Sequence, residues 1–171
     1  FHSRDVVSLT VAVGNELGLS QRDLHDAELA ALLHDIGKLQ ISSELVNKPG
    51  PLDDAEWAEI RTHTLRGQQM LEKVGGILGD VGLIIRSCHE RWDGTGYPDG
   101  LAGEAIPLVS RIVFCCDAYS AITTPRPYRG ARSSAIALSE LSAGSGTQFD
   151  ARVVEALVTV VARGTADRPA D

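Results

Sequence analysis

This sequence has little with which to staple itself together. Its 171 residues hold only three cysteines, and two of these, Cys115 and Cys116, are neighbours. An odd count with an adjacent pair makes a poor disulfide framework, so burial must make the core, and a reducing, cytoplasmic compartment is expected. Aromatic residues make up 5% and methionine occurs once. No apolar run approaches the ~20 residues of a membrane span. No segment has the charged, apolar and small-residue order of a signal peptide. Positive charge is also short: 16 Lys and Arg against 23 Asp and Glu leave a formal net charge of −7. That balance excludes a protein that coats DNA or other nucleic acid nonspecifically, a task that needs a broad cationic face. A small phosphate-bearing ligand stays open, because Arg126, Arg129 and Arg132 bunch within an otherwise acidic chain.

What is present is a soluble globular composition, 43% apolar, long enough for one domain with its own core. The chain begins at Phe1 without methionine, as expected of a fragment of a longer protein. Residues 164–171 lose their periodicity and are expected to form a disordered tail.

The patterning is helical throughout. A first helix is predicted over 3–17, stopped by Gly18. Ser20 with Asp23 signals the cap of a second, which runs to about Ile36. Leu39 to Leu52 reads as a connection. Asp53 and Glu56 form Asp-x-x-Glu ahead of Trp57, Ile60 and Leu71, which predicts a third helix. A shorter helix around Val81–His89 leads into Trp92-Asp-Gly-Thr-Gly-Tyr-Pro-Asp-Gly100, too rich in glycine and proline to continue it. Pro107 opens a long helix with a buried face of Leu108, Ile112, Cys115, Tyr119 and Ile122. Helices at 133–142 and 151–162 follow, the latter capped by Asp150. With no β alternation and no internal repeat, the fold class is all-α, a helical bundle.

Residues 34–38, His-Asp-Ile-Gly-Lys, close the second helix, whose apolar side reads as Leu29, Leu32, Leu33 and Ile36. His34 and Asp35 then sit about 100° apart at the edge of that stripe, where both can address one ion. Histidine is scarce, with five residues. His63 shares a stripe with Ile60, Gly67 and Leu71. His89 ends a helix just before the glycine-rich loop, and Asp117 lies inside the apolar run from Ile112 to Tyr119. A carboxylate there is costly to bury unless it is paired or bound to metal. Each of these residues alone is also met as a hydrogen-bonded core group. Together with His2, on separate helices, they have the character of ligands converging in a bundle core. His25, in a polar helix start, is assigned to the surface.

The chain resembles the HD-GYP branch of the HD-domain metal-dependent phosphohydrolases. The resemblance rests on His34-Asp-Ile-Gly-Lys38, Asn47-Lys-Pro-Gly50, His63 with Gly67, His89-Glu-Arg-Trp-Asp-Gly-Thr-Gly-Tyr-Pro98, Asp117 and Arg126-Pro-Tyr-Arg129, all in family order. It implies an HD-domain bundle over residues 1–163 with a short GYP loop. It also implies a first metal held by His2, His34, Asp35 and Asp117, and a second held by Asp35, His63, Cys88 and His89. The two divalent ions are expected to be iron or manganese, with zinc as the further choice. Lys38 is implied to support charge on the phosphate, Gly94 and Gly96 to shape the loop, Tyr97 to meet a base, and Arg126 and Arg129 to contact the dinucleotide.

The activity so implied is hydrolysis of cyclic di-GMP to linear pGpG, and onward to GMP, by attack of a metal-bridging hydroxide. The partner implied is an N-terminal sensor or receiver domain. Two departures stand out: Cys88 replaces the first of two paired histidines, and Ser120 stands where many members carry an aspartate. They keep alive a non-catalytic cyclic-dinucleotide-binding module, beside an HD-type phosphohydrolase acting on another nucleotide.

Overall fold

The computed structural model describes residues 2–125 and 130–166, leaving aside the side chains of residues 2–4, 165 and 166. Nine α-helices follow one another among the described residues: α1 (His2–Glu16), α2 (Gln21–Leu33), α3 (Ser43–Val46), α4 (Asp54–Arg61), α5 (His63–Val74), α6 (Ile77–Arg86), α7 (Leu108–Thr123), α8 (Ser134–Ala143) and α9 (Ala151–Ala166). Short 3₁₀ turns cover Ile36–Gln40 and Gly103–Ala105. No strand forms among the described residues, as the lack of alternation predicts. None of their helices is long and apolar enough to cross a membrane.

The caps fall where the side chains signal them. Ser20 Oγ accepts from the Asp23 amide at 3.1 Å. Asp53 and Glu56 complete a reciprocal capping box at the start of α4. Asp150 Oδ1 accepts from the Arg152 amide at 2.9 Å, opening α9. Its other oxygen takes a 2.6 Å bond from Arg111 on α7, in a pair that is almost wholly buried. Removing either partner would strand a buried charge, so this pair fixes where α9 begins against α7.

The core gathers Val6 and Val13 of α1, Ala27, Ala30 and Ala31 of α2, Ile85 of α6, Ile112 and Val113 of α7, and Leu157 of α9. Here α2 departs from expectation. Its inner face is Leu24, Ala27, Ala30 and Ala31, while Leu32 is 55% exposed and Leu29, Leu33 and Ile36 are half-buried. Bulk misled the reading: three alanines keep this face narrow enough for α1 and α7 to close on it. The helix also ends earlier than expected, at Leu33. His34 is its C-cap, and Asp35 (φ −98°, ψ 3°) turns the chain into the 3₁₀ segment.

The predicted third helix is two. It breaks at Thr62, whose amide and hydroxyl both turn back to the Glu59 carbonyl, and His63 opens α5. Within the predicted connection a short helix, α3, is capped by Ser42. The helix expected at Val81–His89 starts at Ile77 and stops at Arg86, which leaves Cys88 and His89 in the turn that follows. The last helix continues to Ala166, beyond the expected end at 162.

Candidate metal centre

Two joints in the chain and one turn assemble the site. At the end of α2, the buried His34 ring donates from Nδ1 to the Ala31 carbonyl at 2.8 Å. A carbonyl can only accept, so Nδ1 is the donor here and Nε2 is the atom turned toward Asp35. The Thr62 break does the same for His63, whose Nδ1 donates to the Ile60 carbonyl at 2.7 Å. The third ring, His89, follows α6 and packs edge-on against His63 with centroids 4.9 Å apart.

Asp35 stands between these rings. Its Oδ1 lies 3.7 Å from His63 Nε2, and its Oδ2 lies 3.7 Å from His34 Nε2. His34 Nε2 is also 3.8 Å from Asp117 Oδ1 on α7. Ligand atoms of Asp35, His63 and His89 all fall within 4.8 Å of one another. Two donors each about 2.1 Å from one ion lie no more than about 4.2 Å apart, which the 3.7 and 3.8 Å separations satisfy. Nε2 of His34, His63 and His89 and Oδ1 of Asp35 are buried without a hydrogen-bond partner. Four orphaned ligand-type atoms in one place are expensive unless a cation takes them up, so the donor set fits a metal.

The electrostatics agree. Burial, with His63 alongside, pushes the His89 imidazole down to about 4, and burial likewise lowers His63. Both rings are therefore neutral and able to ligate at pH 7. Burial alone would raise the Asp35 carboxyl, but His34, Lys38 and His63 together hold it below its ordinary value. In metal-free protein the unfolded chain then binds more protons than the folded one, at the histidines below about pH 6.5 and at Asp35 below its ordinary pKa. Stability therefore falls with acidification. Thermal unfolding of chelator-treated protein is expected to show Tm falling steadily from pH 7 to pH 4, and a flat profile would contradict the buried neutral rings.

Cys88 does not join the Asp35, His63 and His89 group. Its thiol is buried in the core, pushed up by that burial, and is directed at the Ile84 carbonyl at 3.5 Å. A protonated thiol in an apolar setting packs rather than ligates. Cys88→Ala is accordingly expected to leave bound metal per chain unchanged and to lower stability by about 1 kcal/mol, which elemental analysis and thermal melts read separately. Ser120 is buried on α7, one turn after Asp117. The His2 side chain, Arg126 and Arg129 lie outside the described residues. His25 is exposed, as assigned.

Lys38, on the 3₁₀ turn, donates to Asp35 Oδ2 at 2.7 Å. Tyr97 stacks on His89 with centroids 5.2 Å apart and planes 14° apart, and burial pushes its hydroxyl up to about 12. The Tyr97 ring thus steadies His89 in addition to facing the cavity. Gly96 is the reason the loop can close: a Cβ there would strike the Glu90 and Arg91 backbone. Buried Glu90 anchors the loop's far end by accepting from the Asp99 amide at 2.7 Å.

A cavity of about 690 Å³ opens beside these groups, within the range of small-molecule sites. Lys38, His63, His89, Tyr97 and Asp117 form its polar side. Leu45, Leu52, Trp57 and Ile60 supply apolar lining that the sequence pattern did not point to. The one available signal was Trp57, a costly aromatic placed one turn before the helix break.

A family model described as HD domain matches residues 2–153, a span holding every donor above. The chain belongs to the HD domain family. The cyclic di-GMP phosphodiesterase response regulator RpfG of Xanthomonas campestris is 43% identical over 147 residues, covering 85% of this chain and 39% of that protein. Cyclic di-GMP phosphodiesterase PA4108 of Pseudomonas aeruginosa is 41% identical over 163 residues, covering 94% of this chain and 38% of its own. Among solved structures, the cyclic GMP-AMP specific phosphodiesterase V-cGAP3 of Vibrio cholerae superposes with a TM-score of 0.76 at 25% identity, covering 96% of this chain and 44% of that one. The Gly96-Tyr97-Pro98 loop lies within the matched span, and it is one of the motifs that carry the resemblance to the HD-GYP branch. The chain spans about two fifths of the length of the relatives it matches.

Proposed function

We propose that this HD domain is a metal-dependent phosphodiesterase that opens cyclic di-GMP to linear pGpG, with GMP as the further product. The observation that supports it most is the single carboxylate, Asp35, whose Oδ2 faces His34, itself 3.8 Å from Asp117, and whose Oδ1 faces His63, with His89 in the same group. Such a bridge suits two divalent cations, and mixed imidazole and carboxylate donors suit iron or manganese, with zinc next. His2 is the further ligand proposed for the His34 side. Cations bound there would supply Lewis acidity and a nucleophilic water at neutral pH.

The protein's own groups do the rest. Asp35 holds its charge at pH 7, and the Lys38 ammonium beside it can turn to a phosphate oxygen as negative charge grows there. Tyr97 stays protonated and able to donate. Arg126 and Arg129 are proposed as further cationic contacts to the dinucleotide. In the parent protein a sensor or receiver domain would precede residue 1, and the whole would work in the cytoplasm. The test is metal analysis of anaerobically purified protein together with detection of products from cyclic di-GMP and from 3'3'-cGAMP. About two metals per chain and linear product are expected; nucleotide bound without turnover would favour a binding module instead.

A further inference from the structure

Resting on that reading, we propose that α4 supplies a purine-base subsite, with Trp57 as the stacking surface and Arg61 reading the edge of guanine. Trp57, Ile60 and Arg61 are spaced i, i+3, i+4 and share one face of α4, and Trp57 and Ile60 line the same cavity as His63, His89 and Asp117. The Trp57 indole is 46% exposed and is not part of the main core, so packing does not account for it. A large aromatic left open beside a phosphodiester site is the surface on which a base stacks.

Arg61 is distinguished by what it lacks. The two lysines that line the cavity, Lys38 and Lys48, are each paired with a carboxylate, of Asp35 and Glu56 respectively. Arg61 is exposed and, among the described residues, has no carboxylate partner. Its guanidinium lies over the Tyr97 ring, 5.4 Å from the centroid, which holds it near His89 while its N–H groups stay free. The phosphate already has the metals and Lys38. An uncommitted planar donor one turn from a stacked base matches the O6 and N7 acceptors of guanine; adenine presents a donor in place of O6.

Kinetics of the metal-loaded protein on cyclic di-GMP, 3'3'-cGAMP and cyclic di-AMP test this. Trp57→Ala is expected to raise KM about tenfold for all three, with kcat within about twofold, and Trp57→Phe to recover most of it. Arg61→Gln is expected to lower kcat/KM for cyclic di-GMP by about 10- to 100-fold and to leave cyclic di-AMP nearly unchanged. An unchanged KM in Trp57→Ala, or equal losses on cyclic di-GMP and cyclic di-AMP in Arg61→Gln, would overturn the subsite; equal losses would make Arg61 a phosphate contact. If wild type hydrolyses none of the three, the phosphodiesterase reading fails by itself. Tryptophan fluorescence then decides the subsite: quenching by cyclic di-GMP that disappears in Trp57→Phe supports it, and any other pattern overturns it.

Discussion

Asp35→Ala is expected to lose turnover by at least about 10²–10³-fold and to lose most bound metal, while remaining folded. The reason is positional. The two oxygens of Asp35 face different histidines, at 3.7 Å each, so a single truncation removes a candidate donor from beside both His34 and His63. It also leaves Lys38 without its 2.7 Å partner, and the freed ammonium would stand against any cation approaching His34. Because the Asp35 side chain is 40% exposed and sits at a helix joint, its loss opens no core cavity. Circular dichroism should therefore match wild type while elemental analysis and product formation collapse. Retention of full activity would remove the basis of the proposed site.

Gly37→Ala is expected to fail for a different reason, at the level of folding. A Cβ at position 37 would overlap the His63 carbonyl oxygen outright and come within 2.7 Å of the Gly67 amide nitrogen. Both obstacles are backbone, so no side-chain rotation relieves the clash and the 3₁₀ turn must lift off α5. A penalty of about 3 kcal/mol or more follows, or a Tm lower by roughly 6–12 °C for a domain of this size. Displacement of the turn also separates Asp35 from His63, so metal content should fall with stability. Gly67→Ala offers a calibration: its nearest neighbour is the Ile85 Cδ1 at 3.0 Å, a side-chain end that can move. A loss in Gly37→Ala no larger than in Gly67→Ala would show that the turn and α5 are not packed backbone to backbone.

These two residues also show where sequence reasoning reached its limit. The His34–Asp35 pair stood out because a His-Asp dipeptide beside an apolar stripe is a local pattern, and the caps at Ser20, Asp53 and Asp150 were legible for the same reason. Gly37 carried no local sign, since its need arises from a helix 26 positions later. The Thr62 break was hidden because Ile60, His63 and Leu71 fit one continuous helical period as well as two. Cys88 is placed at the metal by the family pattern, whereas the turn after α6 aims its thiol at the Ile84 carbonyl and leaves His89, not Cys88, grouped with Asp35 and His63. The α4 wall escaped because Trp57 satisfied the pattern of a core residue, and only the packed structure shows its ring left open.

The way the candidate donor rings are held bears on how such a site can persist while the surrounding chain changes. A ligating imidazole is commonly oriented by a neighbouring carboxylate, which a single substitution can delete. His34 and His63 are oriented by main-chain oxygens three residues behind them. No replacement at Ala31 or Ile60 that keeps the helical turn can take those acceptors away. The outer surface of this bundle is thereby free to drift, and to acquire new neighbours, without retuning either ring.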